Sequence, residues 1–266
     1  SMNLSKISPD KIVLLGDRLE TLLAAISAYT LNIPIIHIGG GEITQGSVDD
    51  SYRHCITKLS SFHLVSNNIY KKRIIQLGEN KKNIFVIGNP ADEMIYKEKL
   101  IGRKKLENKY KFKFYKKNIL FTFHPETNNL AQSEKQIDII LEYFKKIKDT
   151  LIIITYPNID LNSNYILNAI KLFKTNNENC IIFSNLGRKN YLSFLNNVDA
   201  VVGNSSSGIT EAPLLNKPTI NIGNRQKGRE RNISVIDCKL TKLDLKKSFN
   251  KIYNKNFLKK IKNNKL

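Results

Sequence analysis

The chain has few cysteines, too few acids to balance its lysines, and no long apolar run. Its three cysteines, Cys55, Cys180 and Cys238, are odd in number, lie far apart and carry no Cys-x-x-Cys or Cys/His spacing. That argues against a disulfide framework and a metal site, and reads as reduced core thiols of a cytoplasmic protein. No stretch approaches the ~18 uninterrupted apolar residues of a membrane span, and no basic segment leads into an apolar one at the start of the chain. Neither a membrane partner nor export is expected. Internal repeats and low-complexity tracts are missing as well. Lysine and arginine outnumber aspartate and glutamate 43 to 23, a formal net charge of +20. The lysines are scattered among asparagine and isoleucine with no basic stripe and no interleaved aromatics, so no nucleic-acid partner is expected. A positive field of this kind does help to collect an anionic substrate.

What is present is a rhythm. Nine short apolar runs recur along the 266 residues: KIVLLG, IPIIHIG, FHLVS, IFVIG, NILFTF, TLIIITY, CIIFS, AVVG and PTINIG. Their apolar, mostly β-branched residues stand on consecutive positions, as in strands buried on both faces. Between them lie stretches with apolar residues three and four apart, which are helical. Strand–helix alternation of this kind predicts an α/β fold with parallel sheets. The rhythm breaks between residues 90 and 115, which predicts two domains, 3–98 and 99–240. Residues 241–266 carry no strand signal and are expected to form terminal helices packing back across the first domain.

In a parallel α/β sheet, ligands sit beyond the carboxyl ends of the strands, so polar residues just after each run carry the interest. LLGDRLE places Asp17 and Arg18 there, although an aspartate at that point can simply cap the following helix. HIGGGEITQGSVDDSYRH supplies three glycines suited to close backbone approach, then Asp49 and Arg53 four apart on one helix face, as a ligand site or as a capped helix with a surface ion pair. FTFHPET sets His124 after a strand, where an imidazole can exchange a proton or donate to phosphate, whereas His63 lies inside a strand and reads as structural. TYPNID offers Asn158 and Asp160, which also suit a turn. VVGNSSSGITEAP puts Ser205, Ser206 and Ser207 where a strand turns into a helix, a phosphate cradle in which N–H donors and hydroxyls combine. One helical turn further in, Glu211 can accept from a ribose. NIGNRQKGRER brings Arg225, Lys227 and Arg229, suited to a diphosphate or to a solvated surface.

These pieces, GDR, HIGGGEITQGSVDDSYRHCITKL, FHPET, YPNID, GNSSSGITEAP and NRQKGRE, occur in the order and roughly the spacing of the hydrolysing UDP-N-acetylglucosamine 2-epimerases of bacterial sialic-acid and legionaminic-acid synthesis, which the chain resembles over residues 11 to about 238. The resemblance implies two Rossmann-like domains of the glycosyltransferase-B type, with nucleotide held mainly by the second. It implies anti elimination of UDP to give 2-acetamidoglucal and syn addition of water to give N-acetylmannosamine, with no metal or nicotinamide cofactor. It also implies a homodimer, since the family is commonly dimeric. By position, Asp17, Asp49 and Arg53 fall on acid/base or sugar-binding residues, with Glu42 in the same loop. His124 falls on the histidine near diphosphate and sugar, and Ser205, Ser206, Glu211 and Arg225 fall on the UDP-binding positions, with Arg18 and Asn158 in support. The same chemistry on a UDP- or GDP-linked 2,4-diacetamido-2,4,6-trideoxyhexose stays open, as do a retaining glycosyltransferase on this fold and a non-catalytic nucleotide-binding fragment. Two departures stand out: Gly39 occupies a place where many relatives carry Glu or His, and relatives have roughly a hundred residues before GDR. The chain is therefore expected to be a fragment of a longer product with a truncated first domain, leaving KIVLLG beside an empty sheet edge.

Overall fold

The computed structural model describes residues 2–44, 47–88, 90–126, 130–157 and 164–264. The chain divides into two compact units, Ser1–Met94 with Lys227–Arg229, and Ile95–Gln226 with Glu230–Leu266.

The first unit runs α1 (Met2–Ile7), β1 (Ile12–Leu15), α2 (Leu19–Thr30), β2 (Ile35–Ile38), α3 (Asp49–Leu59), β3 (Phe62–Val65), α4 (Asn68–Gln76) and β4 (Ile84–Val86). Its four strands form a parallel sheet in the order β1-β2-β3-β4. The continuous apolar runs predicted burial on both faces, but here one face is buried and the other is not. Leu14, Ile35, His37, His63, Val65 and Ile84 are buried, while Val13, Leu15 and Phe85 are exposed. Strand geometry gives the reason, because successive side chains point to opposite faces and the helices cover only one of them. Among the described residues β1 is an edge strand, paired with β2.

Helix α5 (Pro90–Lys97) crosses the boundary between the units. The second unit continues with α6 (Arg103–Tyr110), β5 (Lys117–Thr122), α7 (Leu130–Phe144), β6 (Thr150–Thr155), α8 (Asn164–Thr175), β7 (Cys180–Phe183), α9 (Gly187–Asn197), β8 (Ala200–Gly203), α10 (Glu211–Leu214), β9 (Thr219–Ile222), β10 (Val235–Cys238), α11 (Lys242–Ile252) and α12 (Lys255–Asn263). Here the two-sided reading of the runs fits: all six residues of β6 are buried. Ile119, Phe121, Ile152 and Ile154 pack against Ile140 and Phe144 of α7, Ile170 of α8 and Phe249 of α11. Leu120, Leu151 and Ile153 point to the other face, against Leu106 of α6 and Phe194 of α9. Each such side chain contributes roughly 1.5–3 kcal/mol through burial. The terminal helices belong to this second unit, with Leu245, Phe249 and Ile252 in its core.

The six strands are parallel in the order β10-β9-β8-β5-β6-β7. From β5 the chain moves outward through β6 and β7, then returns to the other side of β5 with β8. The switch point thus falls between β5 and β8, and such a point is where α/β sheets bind ligands, beyond the strands' carboxyl ends. Gly203 makes the close approach possible. Its φ is +132°, and a Cβ there would lie 1.9 Å from the Thr122 carbonyl oxygen. β10 was not among the nine runs, because Asp237 interrupts its apolar sequence and it is a half-exposed edge.

Candidate active site

In the first unit Asp17 does not cap α2. It sits after β1, beyond Gly16 at φ +89°, and its carboxylate accepts a hydrogen bond from Arg53 Nη2. Arg53 is 1% exposed, and a charge so dry requires partners for nearly every donor. It has them: Nη1 donates to Asp50 Oδ1 at 3.0 Å and to the Glu42 carbonyl at 3.1 Å, and Nη2 also donates to Thr44 Oγ1 at 2.9 Å. The expected face-sharing partner, Asp49, is instead bonded to Ser47, whose hydroxyl donates to Oδ2 at 2.9 Å. Glu42 pairs with Arg229 at 2.8 Å. Arg229, grouped by sequence with the diphosphate cations, is therefore folded into this unit beside the Glu42 loop. Gly228, at φ +92°, makes the turn that allows this, and a Cβ there would come within 2.5 Å of Ile43.

Asp17, Glu42, Arg53, Arg229, Gly39 and Ser66 are among the residues that line one cavity of about 180 Å³. Pockets enclosing a drug-sized ligand run roughly 300–1,000 Å³, so this one has the scale of a single sugar ring. Two carboxylates, each held by a guanidinium, face it. A Cβ on Gly39 would meet nothing within 4 Å, so the missing side chain leaves open space; its φ of +89° is strained for other residues. Arg18 is not among the lining residues; it is exposed and pairs with Glu20 at 3.5 Å.

Behind Asp17 lies a residue that sequence did not single out. His37 is fully buried, with Nε2 3.0 Å from the Gly16 carbonyl and Nδ1 3.2 Å from Thr57 Oγ1. Burial pushes it down to about 4, against the opposing pull of the Gly16 carbonyl. It is therefore neutral, and Nε2 carries the proton because a carbonyl only accepts. That bond fixes the turn from which Asp17 projects. His63, its register partner on β3, is also buried and lowered by desolvation, with Glu79 at 3.3 Å from Nε2.

In the second unit the loops after β5, β8 and β9 converge. His124 is buried and pushed down to about 3, first by desolvation and then by the neighbouring Arg225 charge. Asn204 brackets its backbone, accepting from the His124 N–H at 2.7 Å and donating to its carbonyl at 2.8 Å. Arg225 Nη1 and Gln226 Nε2 both donate to the Asn204 carbonyl, at 3.2 and 2.9 Å. Glu126, buried, accepts from the Asn224 N–H at 2.8 Å and so ties the Arg225 loop to the loop after β5. Asn204, Gln226 and Glu126 were missed; the only hint was that each lies within a quoted motif. Asn158 and Asp160 lie outside the described residues.

The serine cluster departs from the expected helix start. Ser206–Gly208 is a single 3₁₀ turn and α10 spans four residues, too short for a developed macrodipole. Ser205 caps the turn, its hydroxyl accepting from the Ser207 N–H at 3.4 Å, and buried Ser207 accepts from Tyr191 Oη at 2.7 Å. Two of the three hydroxyls thus have structural tasks. Ser206 is half-buried, and Glu211 accepts from Thr210. Among the described residues, no three His, Cys, Asp or Glu side chains group to hold a metal ion, and no helix is long and apolar enough to cross a membrane.

Neutral His37 and His124 make both units acid-sensitive. An unfolded histidine titrates near 6.5, whereas native His37 and His124 hold off protonation to about 4 and about 3. Above pH 6.5 neither state binds the proton and stability is unaffected. Between pH 6.5 and about 4 the unfolded chain takes up protons that the native one refuses. Each histidine then removes about 1.4 kcal/mol per pH unit. The thermal midpoint should be level from pH 8 to 7 and fall steadily from pH 6.5 to 5; a midpoint unchanged at pH 5 would contradict the burial of both rings.

A family profile described as UDP-N-acetylglucosamine 2-epimerase matches residues 2–266. The GDP/UDP-N,N'-diacetylbacillosamine 2-epimerase (hydrolyzing) of Campylobacter jejuni subsp. jejuni serotype O:2 is 40% identical over 252 residues, 94% of this chain and 65% of that protein. The UDP-N-acetylglucosamine 2-epimerase of Neisseria meningitidis serogroup B is 36% identical over 234 residues, 87% of this chain and 60% of that protein. The chain thus spans less than two thirds of the length of these relatives. In fold it matches the crystal structure of the Neisseria meningitidis UDP-GlcNAc 2-epimerase bound to UDP-GlcNAc with a TM-score of 0.83 at 20% identity, over 99% of this chain and 74% of that one.

Proposed function

The chain belongs to the UDP-N-acetylglucosamine 2-epimerase family, and from that membership we propose that it is a hydrolysing 2-epimerase, converting UDP-N-acetylglucosamine to N-acetylmannosamine and UDP. The observation that carries the reading is the pair of arginine-bound carboxylates, Asp17 and Glu42, facing one sugar-sized cavity. In the first half-reaction a carboxylate takes the C2 proton, the C2–H electron pair becomes the C1=C2 double bond, and UDP leaves with the electrons of the C1–O bond. In the second, water adds its oxygen to C1 and gives up a proton to one carboxylate, while the other carboxyl group, protonated, delivers a proton to C2 on the opposite face and so inverts its configuration. Guanidinium partners keep the carboxylates oriented without solvent reorganisation. The leaving diphosphate needs a cationic donor, a role we assign to Arg225 of the second unit.

A second reading keeps the chemistry and changes the sugar to a UDP- or GDP-linked 2,4-diacetamido-2,4,6-trideoxyhexose. The 40% identity to a protein named for N,N'-diacetylbacillosamine favours it. Incubation with each nucleotide sugar in deuterated water separates the two. The true substrate should release free nucleotide and a 2-epimeric sugar carrying deuterium at C2, read by mass spectrometry and proton NMR. Nucleotide sugars recovered intact, with no exchange at C2, would refute both readings.

A further inference from the structure

We infer that Asn204 is a positioning residue that holds His124 and Arg225 in register as one diphosphate-binding unit, an inference that rests on the nucleotide reading of this site given above. Every polar group of Asn204 is committed. Its N–H donates to the Thr122 carbonyl at 3.2 Å, and its carbonyl accepts from Arg225 and Gln226. Its side-chain amide forms a closed pair of bonds with the N–H and C=O of His124. That pair has the pattern of two peptide groups in a sheet, and it extends the β5–β8 pairing past the last strand residue, just before Pro125, which has no N–H to continue it. The residue is fully buried, so none of these bonds is exchanged for water. Gly203 brings it there, since only a residue without Cβ can pass so near Thr122. The Asn204 side chain therefore fixes the backbone that carries the imidazole just after β5, while the Asn204 carbonyl holds the guanidinium that follows β9. Pre-organised donors bind an anion without reordering, and a loosened pair loses that advantage for the diphosphate alone.

The test compares UDP with uridine by calorimetry on wild type and Asn204→Ser, which loses both bonds to His124. The expected result is at least a tenfold loss of UDP affinity in Asn204→Ser, with uridine affinity within twofold of wild type. Equal weakening of UDP and uridine, or no change in either, would overturn the assignment, because general loosening of the fold makes no such distinction. NMR titration of the His124 ring adds a readout that needs no nucleotide. In Asn204→Ser the ring should titrate at least one pH unit above the wild-type ring, and an unshifted ring in a folded variant counts against positioning. If wild type binds neither UDP nor uridine yet the ring shifts as expected, the nucleotide reading fails while the clamp on His124 stands.

Discussion

Replacing Arg53 by methionine will destabilise the first unit by about 3 kcal/mol, at the lower end of the roughly 3–5 kcal/mol for removing one partner of a buried ion pair. The lower end follows from where the water is. Arg53 is 1% exposed, but the side chains of Asp17 and Asp50 are 26% and 23% exposed, so the stranded carboxylates recover part of their hydration. Methionine fills much of the volume, which keeps the cavity penalty small. What remains is two like charges that shared one guanidinium, together with an unfilled acceptor at the Glu42 carbonyl. Asp50→Asn in the Arg53→Met background should therefore restore part of the loss, because one of the two repelling charges is gone. Arg53→Lys should fall between, since an ammonium cannot span Asp17, Asp50, Thr44 and the Glu42 carbonyl from one fork. Denaturant unfolding followed by hydrogen exchange resolves the units: β1, β2 and α3 should lose protection while β5 and β8 keep theirs. A Met variant as stable as wild type would mean that Arg53 is hydrated in solution and that Asp17 is not held by it.

The difference between what the sequence revealed and what it hid follows the range of the interactions. The strands of the second unit are legible because β5 and β6 are buried on both faces and read as unbroken apolar runs. The one-sided sheet of the first unit has equally apolar strands, so sequence could not tell covered from uncovered faces. Local spacing also misdirected the pairing of Arg53. Four residues back stands Asp49, yet Arg53 reaches across 36 residues to Asp17 and three back to Asp50. Arg225 and Arg229 looked equivalent at a separation of four. The turn at Gly228 sends them to different tasks, one to the Asn204 carbonyl and the other to Glu42. His124 was singled out from its place after a strand, but the residue that clamps it was not, because an asparagine before three serines carries no signal of the 80-residue span it bridges.

Arg225→Gln should weaken UDP binding roughly 10- to 100-fold, the equivalent of one charge-assisted hydrogen bond of about 1.5–3 kcal/mol, while leaving the fold nearly as stable. Loss of stability is limited because the Asn204 carbonyl keeps the Gln226 amide as donor at 2.9 Å. Affinity does not survive, because the imidazole beside it cannot replace the charge. Desolvation is the first cause of the low His124 value and the Arg225 charge only the second. Taking the charge away moves the ring upward yet leaves it neutral at pH 7. Arg225→Lys should recover part of the binding, since it keeps the charge but loses the two-pronged geometry that suits a phosphate. The salt dependence separates this role from a merely structural one. If Arg225 meets the diphosphate directly, raising the salt concentration should weaken the wild type more steeply than Arg225→Gln. Parallel salt curves, or undiminished UDP affinity in a folded Arg225→Gln protein, would place the diphosphate away from the switch point between β5 and β8.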